Sequence, residues 1–154
     1  MKNCIILYCS IFLAISAMMI SCVPQTCNEK TESLAGATFY KTGTGKIEAP
    51  DTVSIFCIKE DISVFYQKLL KRAIIYLPFD PSAEKCTFIL RINQTTDTVA
   101  FNYTTFPYLV SKECGYTYCF SVTGYWSTKN IIDTIIVVNN RITTGNEENM
   151  RIFY

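Results

Sequence analysis

The order of apolar and polar residues divides the chain into two parts. From Cys4 to Ile20 the residues are apolar except for two serines. From Thr38 onward, short runs of Tyr, Phe, Ile, Val and Thr are separated by turn residues, which is typical of β-strands. We therefore expect an N-terminal targeting segment followed by a body built from strands.

The second part predicts an all-β fold, a single antiparallel β-sandwich-like domain of about eight strands over residues 38–154. Clusters of Gly, Pro and Asn mark the turns. In Ser63–Arg72, apolar residues recur at a spacing of four beside a polar side, so this stretch could form one or two helical turns. The predicted strands are 38–41, 52–59, 73–77, 87–92, 98–104, 116–123, 131–138 and 149–154.

The first 22 residues have the features of an export signal. Lys2 is the only charge before the apolar run. The run closes with Met19–Cys22, which resembles the bacterial lipobox, so residues 1–21 would be a signal peptide and Cys22 the lipidated residue. A membrane-spanning segment and an ordinary signal with a fortuitous cysteine are alternatives. Neither explains why Ser21–Cys22 falls at the apolar-to-polar transition.

Lipidation predicts that the protein is anchored to a membrane of the cell envelope without spanning it, with residues 22–37 as the lipidated N-terminus and a short tether. The chain has 14 Lys and Arg against 13 Asp and Glu, so loss of Lys2 leaves a neutral body. Lipid rather than charge would then hold it to the bilayer. In the bacterial lipoproteins that this N-terminus resembles, an acidic stretch after the lipidated cysteine is often linked to surface export. No such stretch directly follows Cys22, so the resemblance implies a protein that faces the periplasm rather than the cell surface.

Composition also excludes several kinds of chemistry. The chain contains no histidine, which excludes a Ser-His-Asp or Cys-His nucleophile and imidazole metal ligands. The near-neutral charge argues against a nucleic-acid partner. We find neither a calcium-binding loop nor a zinc-like cysteine pattern. The sequence therefore predicts no cofactor and no enzymatic activity.

Five cysteines remain after the signal and the lipidated residue are set aside. In an exported protein they are disulfide candidates before they are metal ligands, and an odd number leaves at least one unpaired within a chain. Cys114 and Cys119 would lie about 16 Å apart in a strand, too far for a disulfide unless the chain turns between them. Strand parity places Cys57 and Cys86 toward the core. The five are Cys27, Cys57, Cys86, Cys114 and Cys119.

Several strings along the body share their order with a known family. The most specific is Ser111–Tyr116, which reads Ser-Lys-Glu-Cys-Gly-Tyr. The others are Leu77–Phe79, Cys86–Leu90, Asp97–Thr104, Ile135–Asn139 and Asn149–Tyr154. Together with the lipobox and Cys27, they resemble a family of small, uncharacterised lipoproteins from Bacteroidota. The resemblance implies a Cys27–Cys114 disulfide and brings no known activity.

Three Asp-Thr-aliphatic tripeptides contain Thr52, Thr98 and Thr134. They resemble the O-glycosylation acceptor that many Bacteroidota use on exported proteins. The alternative is structural, because Asp often occupies a turn while the following Thr begins a strand.

Aromatic residues concentrate between Phe101 and Trp126. We favour sheet packing as their main role, with Tyr116, Tyr118, Phe120 and Val122 on one buried face. The functional alternative is a ligand or partner surface that includes Tyr108, Tyr125 and Trp126. The sequence as a whole predicts a non-enzymatic binding or assembly module for envelope partners, and the alternative is a glycan or small-ligand binding lipoprotein that uses the aromatics of 101–126.

Overall fold

The computed structural model describes residues 26–58 and 62–154. The expected signal peptide and Cys22 lie outside this range. Over the described residues the prediction of an all-β fold is confirmed, since ten strands and no helix are present. The strands are β1 Leu34–Tyr40, β2 Thr52–Ile58, β3 Ile62–Leu70, β4 Ile74–Pro78, β5 Lys85–Ile92, β6 Thr95–Ser111, β7 Gly115–Ser127, β8 Thr134–Val137, β9 Arg141–Ile142 and β10 Glu148–Phe153.

The strands form two sheets. The four-stranded sheet has the order β4-β1-β10-β8, and the six-stranded sheet has the order β3-β2-β5-β6-β7-β9. All pairs are antiparallel except β1 with β10, which run parallel in the middle of the smaller sheet. The first and last strands of the domain are therefore held against each other.

The core lies between the two sheets. Alternate residues of each strand are buried, as the period of a strand requires. The four-stranded sheet contributes Phe39, Ile75 and Ile152, and the six-stranded sheet contributes Phe88 and other aromatic and aliphatic side chains. Burial of this apolar surface from both sheets stabilises the fold.

The structure differs from the sequence prediction at the start of the first strand and in the type of one element. β1 begins at Leu34 rather than Thr38, so residues 34–37 belong to the sheet and not to the tether. The expected helical turns in Ser63–Arg72 are strand β3, which pairs with β2. Two register irregularities in this pairing, between Val53 and Phe56, break the simple alternation of a strand. That disruption explains why the sequence lacked a period-two signal here.

A buried carboxylate fixes the loop that follows β7. Asp97 is 1 % exposed. Its Oδ1 accepts hydrogen bonds from the Thr128 hydroxyl and, at 2.8 Å, from the Asn130 N–H, while its Oδ2 accepts from the N–H groups of Ile131 and Ile132, both at 2.8 Å. Burial alone raises the pKa of the Asp97 carboxyl, but these four hydrogen bonds favour the ionised form, and the pKa is lowered.

The contact between β1 and β10 depends on one small residue, Gly36, and one buried polar residue, Asn149. A Cβ at Gly36 would stand 2.2 Å from the backbone oxygen of Glu147, so only glycine allows this approach. The buried side chain of Asn149 accepts from the Gly36 N–H at 3.0 Å and donates to the carbonyls of Asn139 and Arg141. The Asn149 amide thus joins β10 to β1 and to the segment at residues 139–141.

Candidate functional site

The β6–β7 hairpin is the longest feature of the fold, with strands of 17 and 13 residues. Pairing of β5 with β6 ends at Asn102, and pairing of β9 with β7 covers Phe120 and Ser121. Residues 106–119, which we call the distal hairpin, therefore extend past both neighbouring strands. This part of the hairpin is held by its own cross-strand pairs.

A disulfide closes the turn of the distal hairpin onto the N-terminal segment. The turn spans residues 112–114 and ends at Gly115, whose φ of 72° favours glycine. Ser111 Oγ accepts the Cys114 N–H at 3.1 Å. Cys114 is bonded to Cys27, the pair that the family resemblance implied, with the two Cα atoms 4.7 Å apart.

Residues 27–33 then follow the hairpin back toward the body. The Thr117 hydroxyl donates to the Thr31 carbonyl at 2.5 Å, and Ser33 Oγ lies 3.5 Å from the sulfur of Cys119. The Leu34 N–H, at the start of β1, donates to Asn146 Oδ1. The segment before β1 is thus fixed at both ends.

The distal hairpin exposes large apolar side chains. Their exposed fractions are 47 % for Tyr108, 48 % for Leu109, 75 % for Tyr116 and 54 % for Tyr118. We call these four residues the tip surface. Cross-strand pairing matches Leu109 with Tyr116 and Tyr108 with Thr117 on adjacent rungs, so the tip surface occupies both faces of the hairpin.

The expectation that Tyr116 and Tyr118 are buried is wrong. Alternation along β7 places them on the same side as Phe120 and Val122, which belong to the core. On this side of β7 the core extends only as far as Phe120, whereas the strand starts five residues earlier, at Gly115. The alternation correctly placed these four residues on one face, but it could not show that the core covers only part of that face.

An open cleft of about 390 Å³ lies beside the tip surface. Its walls come from the N-terminal segment, the end of β4 and β7. Its floor includes the rings of Phe79 and Phe120, whose centroids are 5.6 Å apart within the core. The lining is formed by Thr31, Glu32, Ser33, Leu34, Pro78, Phe79, Pro81, Thr117, Tyr118 and Phe120.

A second apolar surface covers the outer side of the six-stranded sheet. One cross-strand row runs Ile58, Thr87, Ala100, Trp126 over four adjacent strands. Trp126 and Ile58, at its two ends, are 59 % and 42 % exposed. The next row contains the partly exposed Phe56 and Ile89, and the Arg91 guanidinium lies 5.9 Å from the Phe56 ring centroid. We call Phe56, Ile58, Ile89 and Trp126 the sheet face.

The structure does not bring the predicted surface residues Tyr108, Tyr125 and Trp126 together. Tyr108 belongs to the tip surface, whereas Trp126 belongs to the sheet face. The side chain of Tyr125 lies on the opposite face of β7 from that of Trp126. Its hydroxyl donates to the Ile135 carbonyl of the other sheet. Tyr125 therefore links the two sheets, which its residue type alone could not reveal.

The three candidate glycosylation residues differ in their surroundings. Thr52 and Thr134 begin β2 and β8, and Thr98 lies inside β6. Thr134 is exposed, while Thr52 and Thr98 are partly buried. The Thr52 hydroxyl donates to the Asn93 carbonyl at 3.2 Å. The turn-then-strand alternative thus describes Thr52 and Thr134, and modification of any of the three stays a prediction.

Three further cysteines are buried in the body of the domain. Cys86 and Cys119 lie outside the disulfide and are buried, and Cys57 is also buried. Burial, with a smaller contribution from nearby Cys57, raises the pKa of the Cys86 thiol to about 12. A nucleophilic cysteine requires the opposite shift.

In residues 26–58 and 62–154, no group of three or more His, Cys, Asp or Glu side chains is placed to hold a metal ion. Over the same ranges, no helix has the length and apolar character needed to cross a membrane.

These features define a small all-β domain with a disulfide-joined N-terminal segment. Residues 52–154 match the model of DUF6452, a family of unknown function, and the chain belongs to this family. The match begins at the first residue of β2, so β1 and Cys27 precede it. Comparison with curated proteins and with solved structures gave no match.

Proposed function

We propose that this protein is a lipid-anchored module of the cell envelope that binds or assembles a protein partner through the sheet face, without catalysing a reaction. The observation that carries the proposal is the row from Ile58 to Trp126 across four adjacent strands. With strands about 4.8 Å apart, this row spans about 14 Å. A surface spread across four strands suits a protein partner better than a small molecule, which prefers an enclosed pocket.

The chemistry of the sheet face supports protein binding. Tryptophan and arginine are enriched among residues that contribute most to interfaces, and Trp126 and Arg91 frame this surface. Ala100, between Thr87 and Trp126, has a short side chain and is only 9 % exposed, so it forms a shallow depression beside Trp126. A partner side chain can settle there against Trp126.

The disulfide and the thiols support the envelope location and the non-catalytic role. A disulfide such as Cys27–Cys114 is typical of proteins outside the reducing cytosol. Cys86, with its raised pKa, is unsuited to nucleophilic chemistry. The lipobox at Cys22 supplies the anchor in this proposal.

Glycan binding is the second candidate, because Trp126 exposes more than half of its surface at the end of the row. An exposed indole is a stacking surface for a sugar ring. Trp126 is also the only tryptophan in the chain, so its fluorescence reports directly on such stacking. Quenching by a glycan panel, with no protein adduct in the experiment below, would favour this candidate.

Photo-cross-linking in intact cells tests the protein partner. A cross-linking residue at position 87 lies in the same cross-strand row as Ile58 and Trp126, and one at position 136, which is exposed, lies on β8 of the other sheet. We expect a defined protein adduct from position 87 that is lost in Trp126→Ala and kept in Ile136→Ala. Absence of an adduct from position 87, or an adduct that Trp126→Ala leaves unchanged, would contradict the proposal.

A further inference from the structure

We propose that the tip surface sits in the interfacial layer of the lipid bilayer that holds the anchor, so that the distal hairpin fixes the orientation of the domain on the membrane. This inference rests on the proposed lipid anchoring at Cys22. It adds a second, non-covalent membrane contact made by Tyr108, Leu109, Tyr116 and Tyr118.

The covalent path from anchor to hairpin is short. Cys22 precedes Cys27 by five residues, and a chain of that length reaches at most about 18 Å. Cys27 is bonded to Cys114 in the hairpin turn. The Cys27–Cys114 Cα distance of 4.7 Å adds to this reach, so the turn is held within about 23 Å of a lipidated Cys22, while a tether without the disulfide would let the body move away.

The exposed side chains lie at the same end of the molecule as the disulfide. Tyr116 is two residues from Cys114 and Tyr118 is four, so both lie within about 14 Å of the disulfide along the strand. Tyr116 is the most exposed large hydrophobic residue in the described part of the chain. Tyr116 and Tyr118 lie about 7 Å apart along the strand, which is within the depth of about 5–10 Å to which interfacial segments bury their apolar side.

The residue types and their arrangement favour a bilayer over a protein partner. Tyrosine concentrates at membrane–water interfaces, where its ring is in the apolar layer and its hydroxyl stays hydrated. Exposed tyrosines occupy both faces of the hairpin, since Tyr108 and Tyr116 lie on adjacent rungs. An interface surrounds the tip and covers both faces at once, whereas a flat protein surface covers one.

Charge plays little part in this contact. The turn carries Lys112 and Glu113, both exposed and of opposite sign. We therefore expect the contact to form on neutral phosphatidylcholine as well as on anionic vesicles and to change little with salt.

Depth-resolved fluorescence tests the proposal with the full lipidated protein in phosphatidylcholine vesicles that contain brominated acyl chains. Tyr116→Trp combined with Trp126→Phe places the single indole at the tip, and the native protein places it at Trp126, about 30 Å further along β7. We expect the bromines to quench about half of the Y116W emission and less than about a tenth of the Trp126 emission. Tyr108→Trp in the same Trp126→Phe background is a second probe if Y116W alters the fold.

The outcomes separate this inference from the anchoring on which it rests. Protein that floats with the vesicles while neither tip probe is quenched would overturn the bilayer contact and leave the lipid anchor standing. Protein that does not float would overturn both. Tip probes shielded from aqueous acrylamide but not reached by brominated lipid would show that a protein or a second copy covers the tip surface, which also contradicts the proposal.

Discussion

The Asp97 carboxylate offers a sharp test of how the loop after β7 is held. In Asp97→Asn one oxygen can still accept from Thr128 and Asn130, but the new amide group faces the N–H groups of Ile131 and Ile132. The introduced amide NH2 group is itself a donor, so the N–H groups of Ile131 and Ile132 both lose their acceptor. A buried unsatisfied group costs about 1–3 kcal/mol, so we expect the free energy of unfolding to fall by about 2–6 kcal/mol.

Urea denaturation followed by circular dichroism measures this loss, and the chain offers a matched control. Asp133 belongs to the same type of Asp-Thr-aliphatic tripeptide, but it is exposed. Asp133→Asn should change the free energy of unfolding by less than about 0.5 kcal/mol. If Asp97→Asn costs no more than Asp133→Asn, the carboxylate does not hold the loop and our account of residues 128–132 is wrong.

The same carboxylate sets a direction for the effect of pH. Its folded-state pKa is lowered, so the unfolded chain binds the proton more readily than the folded protein does. The stabilisation by Asp97 is therefore complete above the unfolded pKa, about 3.9, and is lost as the pH falls through the lower folded value. The stability difference between the native protein and Asp97→Asn should be largest at neutral pH and shrink in acid. A difference that grows in acid would contradict this sign.

Three further predictions concern the close contacts and the cysteines. Gly36→Ala should lower the free energy of unfolding by about 2–4 kcal/mol because the added Cβ would overlap the backbone oxygen of Glu147. Gly124→Ala should be tolerated, since the atom nearest to its added Cβ is a side-chain nitrogen 3.9 Å away. Equal urea midpoints for the two variants would refute this steric explanation. Cys27→Ser should cost about 2–5 kcal/mol by opening a disulfide between residues 87 apart, and reduction of the native protein should reproduce the loss in a thermal melt. The Cys86 thiol should react with iodoacetamide only at the rate of unfolding, and rapid labelling of native protein would disprove its burial.

The sequence predicted the fold class well because strands carry a local signal. The alternation in β5 and the turn at Asn93 are visible without any tertiary information. β3 was missed because its bulged pairing removes that alternation, and the early start of β1 was missed because Leu34–Ala37 contains small residues whose strand geometry comes from partners distant in sequence.

The candidate surfaces were only partly accessible from sequence. Trp126 and Tyr108 were singled out by type, and both are exposed. That they belong to different surfaces depends on cross-strand register. The sheet face joins residues from β2, β5 and β7, and no local pattern identifies such a row.

The parallel contact between β1 and β10 has a consequence for how the chain is made. β1 emerges from the ribosome first, but one of its two neighbours in the sheet, β10, follows roughly a hundred residues later. Until β10 is available, the four-stranded sheet is incomplete, and β1 can pair only with β4. Nascent chains should therefore stay protease-sensitive and open to chaperones until residues 148–153 are free, and loss of those six residues by a premature stop should unfold the domain rather than trim its edge.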